Sequence, residues 1–233
     1  MVKVINYIDR ATDSLLLLFF LLLFLIGGYT MYDTVLVYNL ADGDEFRSFR
    51  PAVVDEEHGW DMSALSEDVV AWLTVDDTNI DYPVLQGSDN TEYLNKDPFG
   101  KYSLSGSIFL DARNARDFSD SYSLIYGHHM EFGKMFGALD KFLDEDYFDT
   151  HRTGTLTVSN KVYSVKFFAC LEADASVDEI FDSTEAKVAL KYVKEHAPIL
   201  REPEGDKLIA LSTCKFPQTT ERIVVFGVLK DEQ

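Results

Sequence analysis

The sequence predicts a mainly β domain, a closed or nearly closed barrel, behind a single membrane-crossing helix. Three observations carry that expectation. Residues 15–32 form an uncharged, apolar stretch. Seven short runs rich in β-branched and aromatic residues follow, punctuated by Gly, Asn, Asp and Pro. Their spacing is irregular, and they suit a barrel better than alternating βαβ units.

The apolar stretch comes first along the chain. At about 1.5 Å per residue it is long enough to cross a hydrocarbon core, and it must be helical because lipid offers nothing to satisfy backbone polar groups. Lys3 and Arg10 precede it, while Asp33, Asp42, Asp44 and Glu45 follow. The positive-inside bias therefore keeps the N-terminus cytoplasmic and the rest outside the cell. A cleaved signal peptide would have a shorter apolar core, about 7–15 residues, and a small-x-small site, for which nothing after Gly28 is suitable. No second apolar segment occurs near the C-terminus, so a single-pass cell-membrane protein is expected. The expected partition is a cytoplasmic N-terminus at 1–14, an anchor at 15–40, a polar juxtamembrane connector at 41–62 and an extracellular domain at 63–233.

In the outer domain, residues 66–73 read as a short helix, with Ser66 as cap and acids in the first turn. Strands are expected at 80–85, 107–110, 122–126, 154–158, 162–171, 207–211 and 222–229. One clear helix, 184–197, interrupts the series. Ser183 can cap it, Ala186, Ala189, Leu190 and Val193 share a face, and Pro198 stops it.

Composition narrows the function classes. A net charge of −19 argues against nucleic-acid binding, which needs clustered Lys and Arg. Two cysteines, Cys170 and Cys214, are too few for a disulfide-stapled scaffold. Cys170 sits in an apolar strand-like run, where a buried inert thiol is expected. The acidic clusters Asp76-Asp77 and Asp144-Glu145-Asp146 read as solvated turns, and no metal or other cofactor is suggested.

Three segments carry candidate chemistry. An apolar run ends in Ser212-Thr213-Cys214, another ends in Tyr126-Gly127-His128-His129, and a third opens with Arg222. A thiol at a strand end is fixed by the sheet and exposed by the adjoining loop. A free thiol, with its pKa of about 8.5, needs a neighbour to become a useful thiolate at neutral pH. A histidine supplies that help and can protonate a leaving amine. An arginine stays protonated and can stabilise the charge developing on an attacked carbonyl oxygen. Each signal alone is weak, and spacing cannot show that the three meet.

Together they resemble the sortases, whose motif is roughly Thr-Leu-x-Thr-Cys followed by Arg. Here it reads Ala210-Leu211-Ser212-Thr213-Cys214, with Ala in place of the first Thr. Residues 70–87, 89–95 and 105–111, and the helix at 184–197, are similar to class B sortases in particular. The resemblance implies an eight-stranded sortase β-barrel with N-terminal helices and a helix in the β6/β7 connection. It implies a cysteine transpeptidase in which Cys214 attacks a sorting-signal threonine carbonyl and forms a thioacyl-enzyme. An amine of a peptidoglycan precursor, or a pilin lysine, then resolves that intermediate. His128 corresponds to the family's histidine, with His129 as the neighbouring alternative, and Arg222 to its arginine. Ser212 and Thr213 line the site, and Asn90 and Leu94 match substrate-groove positions. Wall anchoring is preferred over pilin polymerisation, and a non-catalytic anchored binding module is the remote alternative. L,D-transpeptidases place glycine before the cysteine and arginine two residues after it, where this chain has Thr213 and Phe216. Papain-like hydrolases run cysteine before histidine, the reverse of the order here.

Overall fold

The computed structural model describes residues 2–40, 46, 48–51, 65–159, 161–182, 184–214 and 219–231. The chain divides into two compact units, Met1–Asn39 and Leu40–Gln233. The first is one helix, α1 (Val2–Leu40). Its segment Ile5–Tyr38 is long and apolar enough to cross a membrane. Thr12, Ser14, Thr30 and Thr34 return their hydroxyls to carbonyls about one turn earlier, so these four hydroxyls are satisfied within the helix.

The second unit is built on β1 (Val69–Val75), β2 (Asp81–Leu85), β3 (Ile108–Leu110), β4 (Tyr122–Tyr126), β5 (Thr153–Val158), β6 (Lys161–Asp174), β7 (Ile199–Leu200), β8 (Leu208–Cys214) and β9 (Glu221–Asp231). They run in the order β5-β1-β2-β3-β4-β8-β9-β6-β7, and β5 pairs with β6. Eight strands therefore close a barrel, and the two-residue β7 hangs from the far half of β6. Closure leaves no long edge to pair with another chain. Short helices α2 (Glu145–Thr150) and α3 (Asp178–Phe181) and the longer α4 (Ala186–His196) lie in the connections.

Two apolar layers flank the strands. Leu73, Val84, Ile125, Phe167, Ile209, Leu211 and Val225 fill the interior. Tyr122, Leu124, Leu208, Ala210, Val224 and Phe226 pack outward with Ala189 and Val193 of α4. Successive residues of β8 thus enter different buried layers, which is why this strand is almost uniformly apolar.

Three sequence expectations need correcting. Residues 66–73 do not form a helix, because Val69–Val75 is β1, nearly buried throughout and paired with β2 and β5. The run Val69-Val70-Ala71-Trp72 favours a pleated buried surface, and tertiary pairing decides. Ser66 acts in a turn instead, its hydroxyl accepting from the Asp68 N–H and its carbonyl from Val69. The acidic run at 144–146 opens α2, where the Asp144 carboxylate caps the Tyr147 N–H at 2.9 Å. Helix 184–197 is shorter than expected, at Ala186–His196. The Ser183 cap, most of the 41–62 connector and the N-terminal helices fall outside the described residues.

Candidate active site

Strand alternation decides what faces the outer surface. On β8, Ser212 and Cys214 continue the parity of Leu208 and Ala210. On β9, Arg222 continues that of Val224 and Phe226, and past the end of β4, His128 continues that of Tyr122 and Leu124. Register brings them to one level. Cys214 is opposite Arg222 across the β8–β9 pair, and Tyr126 is opposite Ser212 in the parallel β4–β8 pair. The Gly127 N–H extends that pair by donating to the Ser212 carbonyl at 3.1 Å. Glycine is required here, since a Cβ would lie 2.4 Å from Ile108 Cδ1 and 2.7 Å from the Phe136 ring.

His128 is anchored by its Nε2, 2.8 Å from the Leu94 carbonyl oxygen. A carbonyl only accepts, so Nε2 carries a proton and Nδ1 is the ring nitrogen not spent on that carbonyl. Gly106, at φ +58°, passes close beside the Leu94 carbonyl, and a Cβ there would stand 2.5 Å from that oxygen. Arg222 donates through Nη1 to the carbonyls of Thr219 and Glu221, at 3.1 and 3.3 Å. The buried Ser212 and Thr213 hydroxyls have no hydrogen-bond partner among the described residues. All these side chains line one cleft of about 460 Å³, with Asn90, Leu94, Phe109, Arg113, Tyr126, Ala175 and Phe181 completing its walls.

The Sortase domain family model matches residues 73–230, most of the chain. The chain belongs to the sortase family. Sortase B of Listeria monocytogenes is 36% identical over 178 residues, 72% of each chain. Sortase B of Staphylococcus aureus is 27% identical over 179 residues, covering 70% of this chain and 71% of that one. Among solved structures, a Streptococcus pyogenes class B sortase involved in pilus biogenesis superposes with a TM-score of 0.65 at 40% identity. That match covers 72% of this chain and 95% of the other. The Staphylococcus aureus sortase B–substrate complex gives 0.66 at 27% identity, over 72% and 82%. This sortase is of class B, and the family is one of cysteine transpeptidases.

In this sortase the cleft gathers His128, Cys214, Arg222, Asn90, Leu94, Ser212 and Thr213, all expected from the sequence, and several that were not. Asn90 lines it, yet both ends of its amide are engaged inside the wall: Nδ2 donates to Asp111 Oδ2 at 2.9 Å, and Oδ1 accepts from the Ala112 N–H at 2.8 Å. Asp111 is buried and also accepts from Tyr126 Oη and from Arg113. Burial alone would raise its carboxyl, but hydrogen bonds from Arg113 and Asn90 and the Arg113 charge hold it below the ordinary range. Burial, then the Asp111 charge, pushes the Tyr126 phenol up, so it stays a neutral donor. The overlooked signal was Asp111-x-Arg113 directly after a buried strand, a place where charged side chains need a reason. His129 does not line the cleft; its Nε2 meets Asp140 Oδ2 at 2.6 Å.

Proposed function

We propose that this class B sortase forms a thioacyl-enzyme on Cys214. His128 Nδ1 takes the Cys214 thiol proton, and the thiolate attacks the carbonyl of a sorting-signal threonine, forming a C–S bond. Arg222 stabilises the oxyanion of the tetrahedral intermediate. The C–N bond breaks as His128 gives its proton to the leaving amine. An incoming amine then attacks the thioester, His128 Nδ1 takes the proton the attacking nitrogen sheds, the C–S bond breaks and the thiolate returns. Ser212, Thr213, Asn90 and Leu94 line the path of the signal. The observation that carries this reading is the meeting of Cys214, His128 and Arg222 at three adjacent strand ends in one cleft.

We assign the acceptor to a peptidoglycan precursor amine, which anchors the signal-bearing protein to the wall. The alternative is a pilin lysine, favoured by the 40% identity to a sortase of pilus biogenesis. The flanking charges argue for a cytoplasmic N-terminus and an extracellular catalytic domain, with residues 1–14, 15–40, 41–62 and 63–233 as tail, anchor, connector and enzyme.

The test uses the full-length protein in detergent micelles, incubated with sorting-signal-like peptides and hydroxylamine and read by mass spectrometry. A hydroxamate at a threonine carbonyl, absent from Cys214→Ala, is the expected result. No Cys214-dependent product from any peptide, with an unreactive Cys214 thiol, would overturn the assignment. Replacing hydroxylamine by a cross-bridge peptide or a pilin-derived lysine peptide separates the two acceptors.

A further inference from the structure

We propose that Arg113 is a positioning residue for sorting-signal binding, latching the Phe181 wall of the cleft to the buried Asp111 carboxylate. The proposal rests on the reading of this cleft as the signal-binding groove.

The latch begins in the turn after β3. Asp111 Oδ1 accepts the Arg113 backbone N–H and its Nε at 2.9 Å each, and Oδ2 accepts Nη2 at 2.8 Å. One face of the guanidinium is thereby spent on a carboxylate that is almost wholly buried. The other face crosses to the connection after β6, where Nη1 donates to the Asp182 carboxylate and Nη2 to the Phe181 carbonyl.

What it grips has little stability of its own. Helix α3 is a single turn of four residues, far below the length at which a helix stands alone in water. Its last carbonyls have no partner within the helix, and Arg113 supplies one. The turn is otherwise moored by buried Ile180, whose carbonyl accepts from Tyr122 Oη at 3.2 Å. Phe181 itself lines the cleft, as Asn90 and Leu94 do. Arg113 therefore joins two walls of the same groove, and its two ends differ in strength. The Asp111 end is desolvated and multiply bonded, whereas the Asp182 end is exposed and individually weak.

Lysine cannot do this, because one ammonium does not span both walls and lacks the planar fork. Arg113→Lys keeps a charge for Asp111 but drops the Phe181 side. The experiment measures kcat and KM of full-length Arg113→Lys, Asp182→Asn and Asp182→Glu for the peptide that wild type converts to a hydroxamate. Alongside, the rate of Cys214 alkylation by iodoacetamide is followed, which requires no groove. Arg113→Lys should raise KM about tenfold, equivalent to about 1.4 kcal/mol, with kcat and alkylation near wild type. Asp182→Asn should shift KM the same way by a few-fold, and Asp182→Glu should restore it. The Asp182 variants sit on the surface and keep the test decisive if Arg113→Lys folds poorly. Wild-type KM in Arg113→Lys and Asp182→Asn, or a loss of kcat at constant KM, overturns the latch. A wild-type enzyme that makes no Cys214-dependent product removes the groove reading, and the latch with it.

Discussion

The two cysteines mark two regions of one barrel, its sealed interior and the cleft on its outer face. Cys170 sits mid-strand in β6, paired across to Ile199 and Val225, fully buried among the interior side chains. Burial pushes its thiol well above the ordinary range, so it stays protonated. Cys214 ends its strand, half-buried, with Arg222 opposite and His128 lining the same cleft. The same side chain is thus sealed in one place and open to a cleft in the other, and the difference lies in position along a strand rather than in strand composition. The largest effect expected follows directly. Cys214→Ala should lower turnover on the order of 10³-fold or more, while Cys170→Ala keeps activity and costs about 1 kcal/mol of stability. Iodoacetamide should label Cys214 in the native protein and Cys170 only after unfolding. Rapid native labelling of Cys170 would break the contrast.

Adjacent histidines repeat the contrast over a single residue. His128 is held at Nε2 by the Leu94 carbonyl and lines the cleft, while His129 is turned to Asp140 on the surface. His128→Gln should cost about 10²- to 10⁴-fold in kcat. His129→Gln should leave turnover within about threefold, as a surface change of about 0.5 kcal/mol allows. Activity in His128→Gln together with loss in His129→Gln would reverse the assignment. A companion variant sharpens the point without touching the imidazole. Gly106→Ala pushes a methyl into the Leu94 and Tyr93 carbonyls, at 2.5 and 2.7 Å, and at a φ of +58°. It should reduce kcat through His128 while Cys214 remains alkylatable.

Much of this was legible from residue patterns, and the gaps have physical causes. The Tyr122–Tyr126 strand was expected at its observed limits, and Cys214 and Arg222 were expected at the end of one apolar run and the start of the next, as β8 and β9 have them. What alternation cannot supply is pairing between distant segments. Nothing local says that β4 lies parallel to β8, or that β5 closes on β6. Residues 66–73 misled because acids after a serine imitate a helix start, whereas burial between two strands made β1 of what followed. Arg113 was invisible for a similar reason. Its partners Asp111 and Phe181 come from connections some 70 residues apart, and only the fold makes them neighbours.

The last effect expected, on stability rather than turnover, separates the polar side of the comparison from the surface. Asp111 is the buried carboxylate on which the cleft wall converges, and its pKa is depressed in the folded protein. A depressed folded pKa means the unfolded chain binds the proton more readily. The stability this group contributes is therefore complete above the ordinary carboxylate value of about 3.9, and is lost as pH falls through the lower folded value. Asp111→Asn has no such proton to gain. It should be less stable than wild type at neutral pH, since Arg113 loses its buried counter-charge, by roughly 3–5 kcal/mol. The gap should narrow as pH drops below about 4. Exposed carboxylates depressed to about 2, Asp174 by the Ser176 and Thr220 hydroxyls and Glu204 by Lys166 and Lys230, should show a smaller narrowing on amidation, because water screens their partners. Denaturant unfolding of wild type, Asp111→Asn and Glu204→Gln from pH 7 to pH 3 reads all three. A wild-type/Asp111→Asn gap that stays constant across that range would mean that the carboxylate beneath the cleft is not held ionised by its partners, and that the wall owes its order to packing alone.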